Sequence, residues 1–155
     1  MVKQAIGSRE EAKGRNLFAE APNDQILKEL LLTSQTIAVV GVSDKADRPS
    51  YGVAQWLIEN SHLDVYLVNP RVDELFGRKV YPTLADIPAQ IDIVDVFRNI
   101  ADAPAILDEA IAINAKIFWL QLGLSDQAVA EKAAASSIIP VMNRCSKIEY
   151  QRLVK

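Results

Sequence analysis

Thr36 to Gly52, TIAVVGVSDKADRPSYG, reads as a buried strand that runs into a glycine, crosses a polar loop and enters a helix. Ile37, Ala38, Val39 and Val40 form an uninterrupted apolar run, as expected of a strand covered on both faces in a parallel sheet. Gly41 then turns the backbone with no Cβ in the way. Ser43, Asp44, Lys45 and Arg48 make the loop polar, and Pro49 suits a first helical turn, where its missing N–H has no partner to lose. The helix is predicted over Ser50 to Glu59. Its amino end turns free N–H groups and the positive end of the helix dipole toward Gly41 and Ser43, so a phosphate is the natural occupant. A strand-to-helix turn that binds nothing is the plainer alternative.

The stretch departs from the dinucleotide fingerprint. That motif needs three glycines as G-x-G-x-x-G and an acid at the end of the second strand to hold the ribose hydroxyls. Here Ser43 and Ala46 replace the second and third glycines, and the second strand, Asp64 to Val68, ends in Asn69-Pro70-Arg71. A cation at that edge suits a ligand with an additional phosphate, such as NADP or coenzyme A. The phosphate loop G-x-x-x-x-G-K-[ST] is absent, which removes the nucleotide hydrolases built on it.

The chain of 155 residues is long enough for one domain with a single well-formed core, and its 50% hydrophobic and 24% charged residues describe a soluble globular protein. A net charge of −3 argues against nucleic acid as the main partner, because binding a phosphate backbone needs a cationic face. One cysteine, Cys145, excludes an internal disulfide framework and fits a reducing compartment. The first 20 residues lack the apolar core of a signal peptide and no run reaches the length of a membrane span, so the cytoplasm is the expected location. Residues 1–22 are expected to be a flexible segment and 23–155 the folded domain.

Asn23 or Asp24 is predicted to cap a helix carrying Ile26, Leu27, Leu30 and Leu31 at helical spacing, packed at the sheet edge. After the second strand, 73–77 reads as a turn leading to a short strand over 79–81, then a helical segment over 84–87. Strands over 92–97, 116–120 and 138–142 alternate with helices over 103–114 and up to Ser136, the latter capped by Ser125, and a short terminal helix follows at 148–154. This alternation predicts an α/β fold: a Rossmann-like parallel sheet in a single domain, with right-handed crossovers placing helices on both faces.

In such sheets ligands bind beyond the carboxyl ends of the strands, where strand order reverses. The predicted exits collect polar residues: Gly41-Val42-Ser43, Asn69-Pro70-Arg71, Phe97-Arg98-Asn99, Gln121-Leu122-Gly123 and Asn143-Arg144-Cys145. Three of the five carry arginine, which predicts a cationic pocket on an acidic protein.

Six stretches extend the pattern: GVSDKADRPSYGVAQWL (41–57), VYLVNPR (65–71), GRKVYPTLADIP (77–88), DIVDVFR (92–98), WLQLG (119–123) and MNRCSKIE (142–149). Together they resemble the small stand-alone coenzyme A-binding proteins, relatives of the amino-terminal domain of the succinyl-CoA synthetase alpha subunit. The resemblance begins near residue 24 and leaves the first 20 or so residues without a counterpart. It implies a Rossmann-like domain whose cofactor is coenzyme A, with Gly41, Val42 and Ser43 against the pyrophosphate. Lys45, Arg48 and Arg71 are then candidates for the phosphate charges, while Asn69 and Pro70 shape the adenosine side. Ser50, Tyr51 and Gly52 on the first helical turn and Phe97, Arg98, Gln121, Gly123 and Cys145 at the later exits complete the candidate set.

No Ser-His-Asp arrangement or metal-ligand spacing accompanies these residues, and the acyl chemistry of the ligase depends on further domains. His62 lies at the end of the predicted first helix, away from the exits, and reads as a surface residue. Asp92 and Asp95 read as structural carboxylates, and Trp56 and Trp119 as core. Arg98 and Arg144 have ion-pair partners within reach in Asp102 and Glu149, pairs worth little on a surface. Cys145, beside Arg144 near a helix start, is either a reactive thiol able to join the thiol of CoA in a mixed disulfide or an inert buried cysteine. Binding of CoA or an acyl-CoA without turnover is the simplest function. An NADP-type oxidoreductase domain and a partner-binding module with a vestigial pocket are the alternatives, and a protein partner or a homodimer stays open. Against the oxidoreductase, the length leaves no room for a substrate domain and there is no Tyr-x-x-x-Lys pair.

Overall fold

The computed structural model describes residues 21–154. The flexible segment expected over 1–22 lies outside the described residues except at its end, where Pro22 is already buried.

Helix α1 (Asp24–Thr33) is capped by Asn23, whose side chain accepts the Ile26 N–H at 2.9 Å, and it buries Ile26, Leu27, Leu30 and Leu31. Strand β1 (Thr36–Val40) follows and leads through the polar loop to α2 (Pro49–Asn60), with Pro49 in the first turn. Then come β2 (Asp64–Val68), β3 (Glu74–Leu75), β4 (Arg78–Tyr81), a 3-10 turn (Leu84–Asp86), β5 (Ile93–Val96), a second 3-10 turn (Ile100–Asp102) and α3 (Ala103–Ala112). The chain closes with β6 (Ile117–Leu120), α4 (Gln127–Ala135), β7 (Ile139–Val141) and α5 (Ser146–Leu153). Two expectations are corrected. The 73–77 turn contains β3, a two-residue arm antiparallel to β4, too short to show any alternation. The cap of α4 is Asp126 rather than Ser125, its carboxylate accepting the Val129 N–H at 3.1 Å.

The seven strands lie in the order β3-β4-β2-β1-β5-β6-β7, and every pairing except β3 with β4 is parallel. From β1 the chain steps outward to β2 and β4, then returns to build β5, β6 and β7 on the other flank, so strand order reverses between β1 and β5. Side chains that alternate along the strands feed two cores. Ile37, Val39, Leu67, Ile93, Trp119 and Val141 pack with α1, α2 and α5 on one face. Ala38, Val40, Val94, Val96, Phe118 and Leu120 pack with α3 and α4 on the other. Edge strand β7 contains Pro140, in register with Phe118.

Asp24, Glu149 and Arg152 join α1 to α5, with Arg152 bonded to Asp24 at 2.7 and 2.8 Å and to Glu149 at 2.7 Å. Arg152's hydrogen bond holds the Asp24 carboxyl below its ordinary range. Burial pushes Glu149 up, but the hydrogen bonds and charges of Arg152 and Arg144 together outweigh it and hold that group low as well. His62 is exposed, and its ring nitrogens lie 2.6 Å from the Tyr150 hydroxyl and 2.8 Å from the Ser34 carbonyl, away from the strand exits. No helix among the described residues is long and apolar enough to cross a membrane.

Candidate nucleotide-binding cleft

A cleft of about 680 Å³ opens where the sheet reverses, between the β1–α2 loop and the exits of β2, β5 and β6. Gly41 forms its floor at φ +86°, a conformation that favours glycine, and its N–H donates to Val68 O at 2.9 Å. The loop beyond is laced to the helix that follows. The Ser43 N–H donates to Ser50 Oγ at 2.9 Å, and the Lys45 N–H donates to Ser43 Oγ at 3.1 Å. The Ser43 N–H is therefore already engaged. The amino end of α2 faces the cleft through Pro49 and Ser50, and its cap residue Arg48 makes no side-chain bond to it. This end keeps its electrostatic preference for an anion.

Asn69 fixes the second wall. Its amide donates to Val42 O at 2.8 Å and its oxygen accepts the Arg71 N–H at 2.8 Å, tying the β2 exit to the β1 exit. Lys45, Arg48 and Arg71 line the cleft and form no ion pair among the described residues. Arg98 lines it as well, but its guanidinium is 3.2 Å from Asp102. Asp44 is the one carboxylate among the lining residues, so the local charge is positive on a chain of net charge −3.

Beneath the β6 side lies a buried polar group. Asp95, fully enclosed on β5, accepts from Ser146 Oγ at 2.7 Å and from Gln121 Nε2, and Gln121 Nε2 also donates to Ser146 Oγ at 3.0 Å. Burial pushes the Asp95 carboxyl up to about 7 against the opposing effect of those two hydrogen bonds.

Of the candidate residues read from sequence, Gly41, Ser43, Lys45, Arg48, Ser50, Asn69, Arg71, Phe97, Arg98, Gln121 and Cys145 line the cleft. Five do not. Val42 is fully buried in the α1/α2/α5 core, because the turn at Gly41 breaks the strand's alternation and puts Val42 with Ile37 and Val39 rather than with Ala38 and Val40 on the other face. Tyr51 points toward the β3–β4 arm, its ring 4.8 Å from that of Phe76. Gly52 is on the exposed side of α2 with no atom within 4 Å of a built Cβ. Pro70 borders a neighbouring depression with Pro82, Thr83 and Asp102, which shares Gly41 and Arg98 with the cleft. Gly123 turns toward β7, donating its N–H to Asn143 Oδ1 at 2.8 Å. Of the three exit arginines, Arg144 takes the ion-pair alternative: its guanidinium pairs with Glu149 at 2.5 Å and lies off the cleft.

Sequence reasoning left out Asp44, Pro49, Val53, Val72, Asn99, Leu122 and Leu124 as lining residues. Asn99 and Leu122 were visible as strand-exit positions. Val53, Val72 and Leu124 carry no signal that separates a cleft wall from a core contact.

A parallel sheet of this order, with a cleft at its reversal fed by a glycine-turned loop, is the Rossmann-like fold of nucleotide-binding domains. Within that class the chain belongs to the CoA binding domain family, which matches residues 35–151. It is 33% identical over 129 residues to YneT of Bacillus subtilis (strain 168), covering 83% of this chain and 95% of that protein. A solved structure of a hypothetical protein from Pyrococcus horikoshii OT3 is similar with a TM-score of 0.82 and 36% identity, covering 86% of this chain and 94% of the other. The acetate–CoA ligase (ADP-forming) II of Archaeoglobus fulgidus is 28% identical over 80 residues, 51% of this chain and 12% of the ligase. The chain is thus a CoA-binding domain related to CoA-ligase domains.

Proposed function

We propose that the chain binds coenzyme A or an acyl-CoA in the cleft at the β1/β5 reversal and acts as a binding protein rather than a catalyst. The observation that carries this reading is the convergence on the uncapped end of α2 of three cations, Lys45, Arg48 and Arg71, that have no ion-pair partner among the described residues. The β1–α2 loop and the α2 terminus take the pyrophosphate. Arg71, at the strand end where an NAD site carries an acid, takes the 3′-phosphate together with Lys45 or Arg48. Family membership supports the ligand class. Calorimetry of the purified protein with CoA, dephospho-CoA, NAD and NADP tests the reading. Tightest binding to CoA, with dephospho-CoA weaker and NAD weakest, is the expected order. NADP binding more tightly than CoA would favour an oxidoreductase-type site, and no binding of any of the four would leave a partner-binding role.

A further inference from the structure

Gln121 is 5% exposed, and both hydrogens of its side-chain amide are directed inward, one to Asp95 and one to Ser146 Oγ. Its carbonyl oxygen, Oε1, forms no hydrogen bond among the described residues. Yet no enclosed side-chain oxygen or nitrogen among them lacks a partner. Oε1 is therefore open to the cleft that Gln121 lines. The three groups close a ring: Ser146 Oγ donates to Asp95 Oδ2 while accepting from Gln121 Nε2. Ser146 has one hydrogen and gives it to Asp95 Oδ2, so reversing the amide would set the Gln121 oxygen against the Ser146 oxygen with no hydrogen between them. The fixed orientation leaves a lone acceptor at the cleft wall, held from behind by a group the solvent does not reach.

Resting on the CoA reading above, we propose that Asp95 is a positioning residue that locks the Gln121 amide so that its oxygen accepts an N–H from the neutral amide-bearing arm of the ligand. Two features select that class of ligand group. The wall around Gln121 includes Phe97, Leu122 and Leu124, which suits an uncharged chain rather than a phosphate. The unpaired cations sit elsewhere, with Arg71 at the β2 exit and Gln121 at the β6 exit, three strand positions away and so roughly 14 Å across the sheet. A ligand that reaches from Arg71 to Gln121 has its phosphates at one end and a linear arm at the other. The pantetheine arm of CoA carries two secondary amides, each with one N–H to give.

The test compares CoA with adenosine 3′,5′-bisphosphate, which keeps adenosine, the 3′-phosphate and the inner phosphate of the pyrophosphate but lacks the outer phosphate and the arm. Wild type, Asp95→Asn, Gln121→Leu and the double variant are titrated with both. Asp95→Asn can present its own amide to Gln121 and so releases the lock. Each single variant is expected to weaken CoA by about fivefold to tenfold, the range of one lost neutral hydrogen bond, with the bisphosphate unchanged. The double variant is expected to match Gln121→Leu alone, because Asp95 acts through Gln121. Unchanged bisphosphate binding also reports that each variant is folded. Equal loss for both ligands, unchanged CoA affinity, or additive effects in the double variant overturn the inference while leaving CoA binding itself standing. If the wild type binds neither ligand, the CoA reading fails and this inference fails with it.

Discussion

Gly41 lies directly under the Arg98 side chain: a Cβ built at position 41 would stand 2.6 Å from Arg98 Cδ and 2.9 Å from the Phe97 carbonyl oxygen. The glycine is thus required by the protein's own packing as well as by its turn at φ +86°. Arg98 can swing aside, but the Phe97 carbonyl belongs to the β5 exit and cannot. Gly41→Ala is expected to destabilise the fold by roughly 2 kcal/mol through backbone strain and this contact. Gly52 makes the opposite case, exposed within α2 with open space around it. Gly52→Ala is expected to stabilise by about 0.5 to 1 kcal/mol. Urea midpoints of the two variants should move in opposite directions, and a shift of the same sign in both would contradict this account.

Arg71 and Arg48 separate the phosphates of the ligand. A charge-assisted contact is worth about 1.5 to 3 kcal/mol when desolvated, and both arginines are exposed, which puts them at the lower end. Arg71→Ala, or failing that Arg48→Ala, is expected to weaken CoA by about tenfold while changing dephospho-CoA less. Calorimetry with the two ligands decides it. Equal losses would move these arginines away from the 3′-phosphate.

The burial of Asp95 sets the sign of a pH dependence in stability. Its folded carboxyl is pushed up to about 7 from an ordinary value of 3.8, so between those values the folded chain holds a proton the unfolded chain has released. The resulting stabilisation is complete below pH 3.8 and is lost as pH rises through about 7. Asp95→Asn removes the titration and keeps the shape. Its stability relative to wild type should rise between pH 5 and pH 8 by on the order of 2 to 4 kcal/mol. Asp24 and Glu149, held low by Arg152 and its neighbours, act with the opposite sign as pH falls, but they are common to both proteins and cancel in the difference. A flat difference across this range would show that Asp95 stays ionised inside the fold.

Asn69 links two loops with one side chain. Asn69→Ala breaks the bond to Val42 O and the bond from the Arg71 N–H. It is expected to destabilise by about 1 to 2 kcal/mol and to weaken CoA several-fold, because Arg71 loses its anchored backbone. Asn69→Asp keeps the acceptor for Arg71 but not the donor to Val42. Recovery of affinity without recovery of stability in that variant would separate the two bonds, whereas identical behaviour of both variants would tie them to one effect.

Much of the architecture was legible because its signals are local. Pro49 marks the start of α2, the run 37–40 marks a doubly covered strand, and alternating strands and helices leave few topologies. Long-range choices were not legible. The sequence offers Arg98 and Arg144 the same choice between a nearby carboxylate and the pocket, and nothing local says that Arg144 leaves the cleft while Arg98 keeps both its pair and its place in the wall. Val42 follows the turn at Gly41, and nothing local in the sequence says that this turn shifts the strand's phase and carries the next side chain into the α1/α2/α5 core. The short β3 carries no periodicity, and Asp95 looked like an ordinary structural carboxylate until its partners, 26 and 51 residues away, closed around it.

Strand β7 has a consequence for assembly. The Ile139 N–H is used inward on Lys116 O at 2.9 Å, so the next donor along would point outward, and that residue is Pro140. The opposite border ends in the two-residue β3. Among the described residues, neither margin offers a long run of free backbone donors and acceptors on which another chain could be templated. Along these described margins, copies that meet at high concentration find no seam on which to stitch their sheets into a fibre.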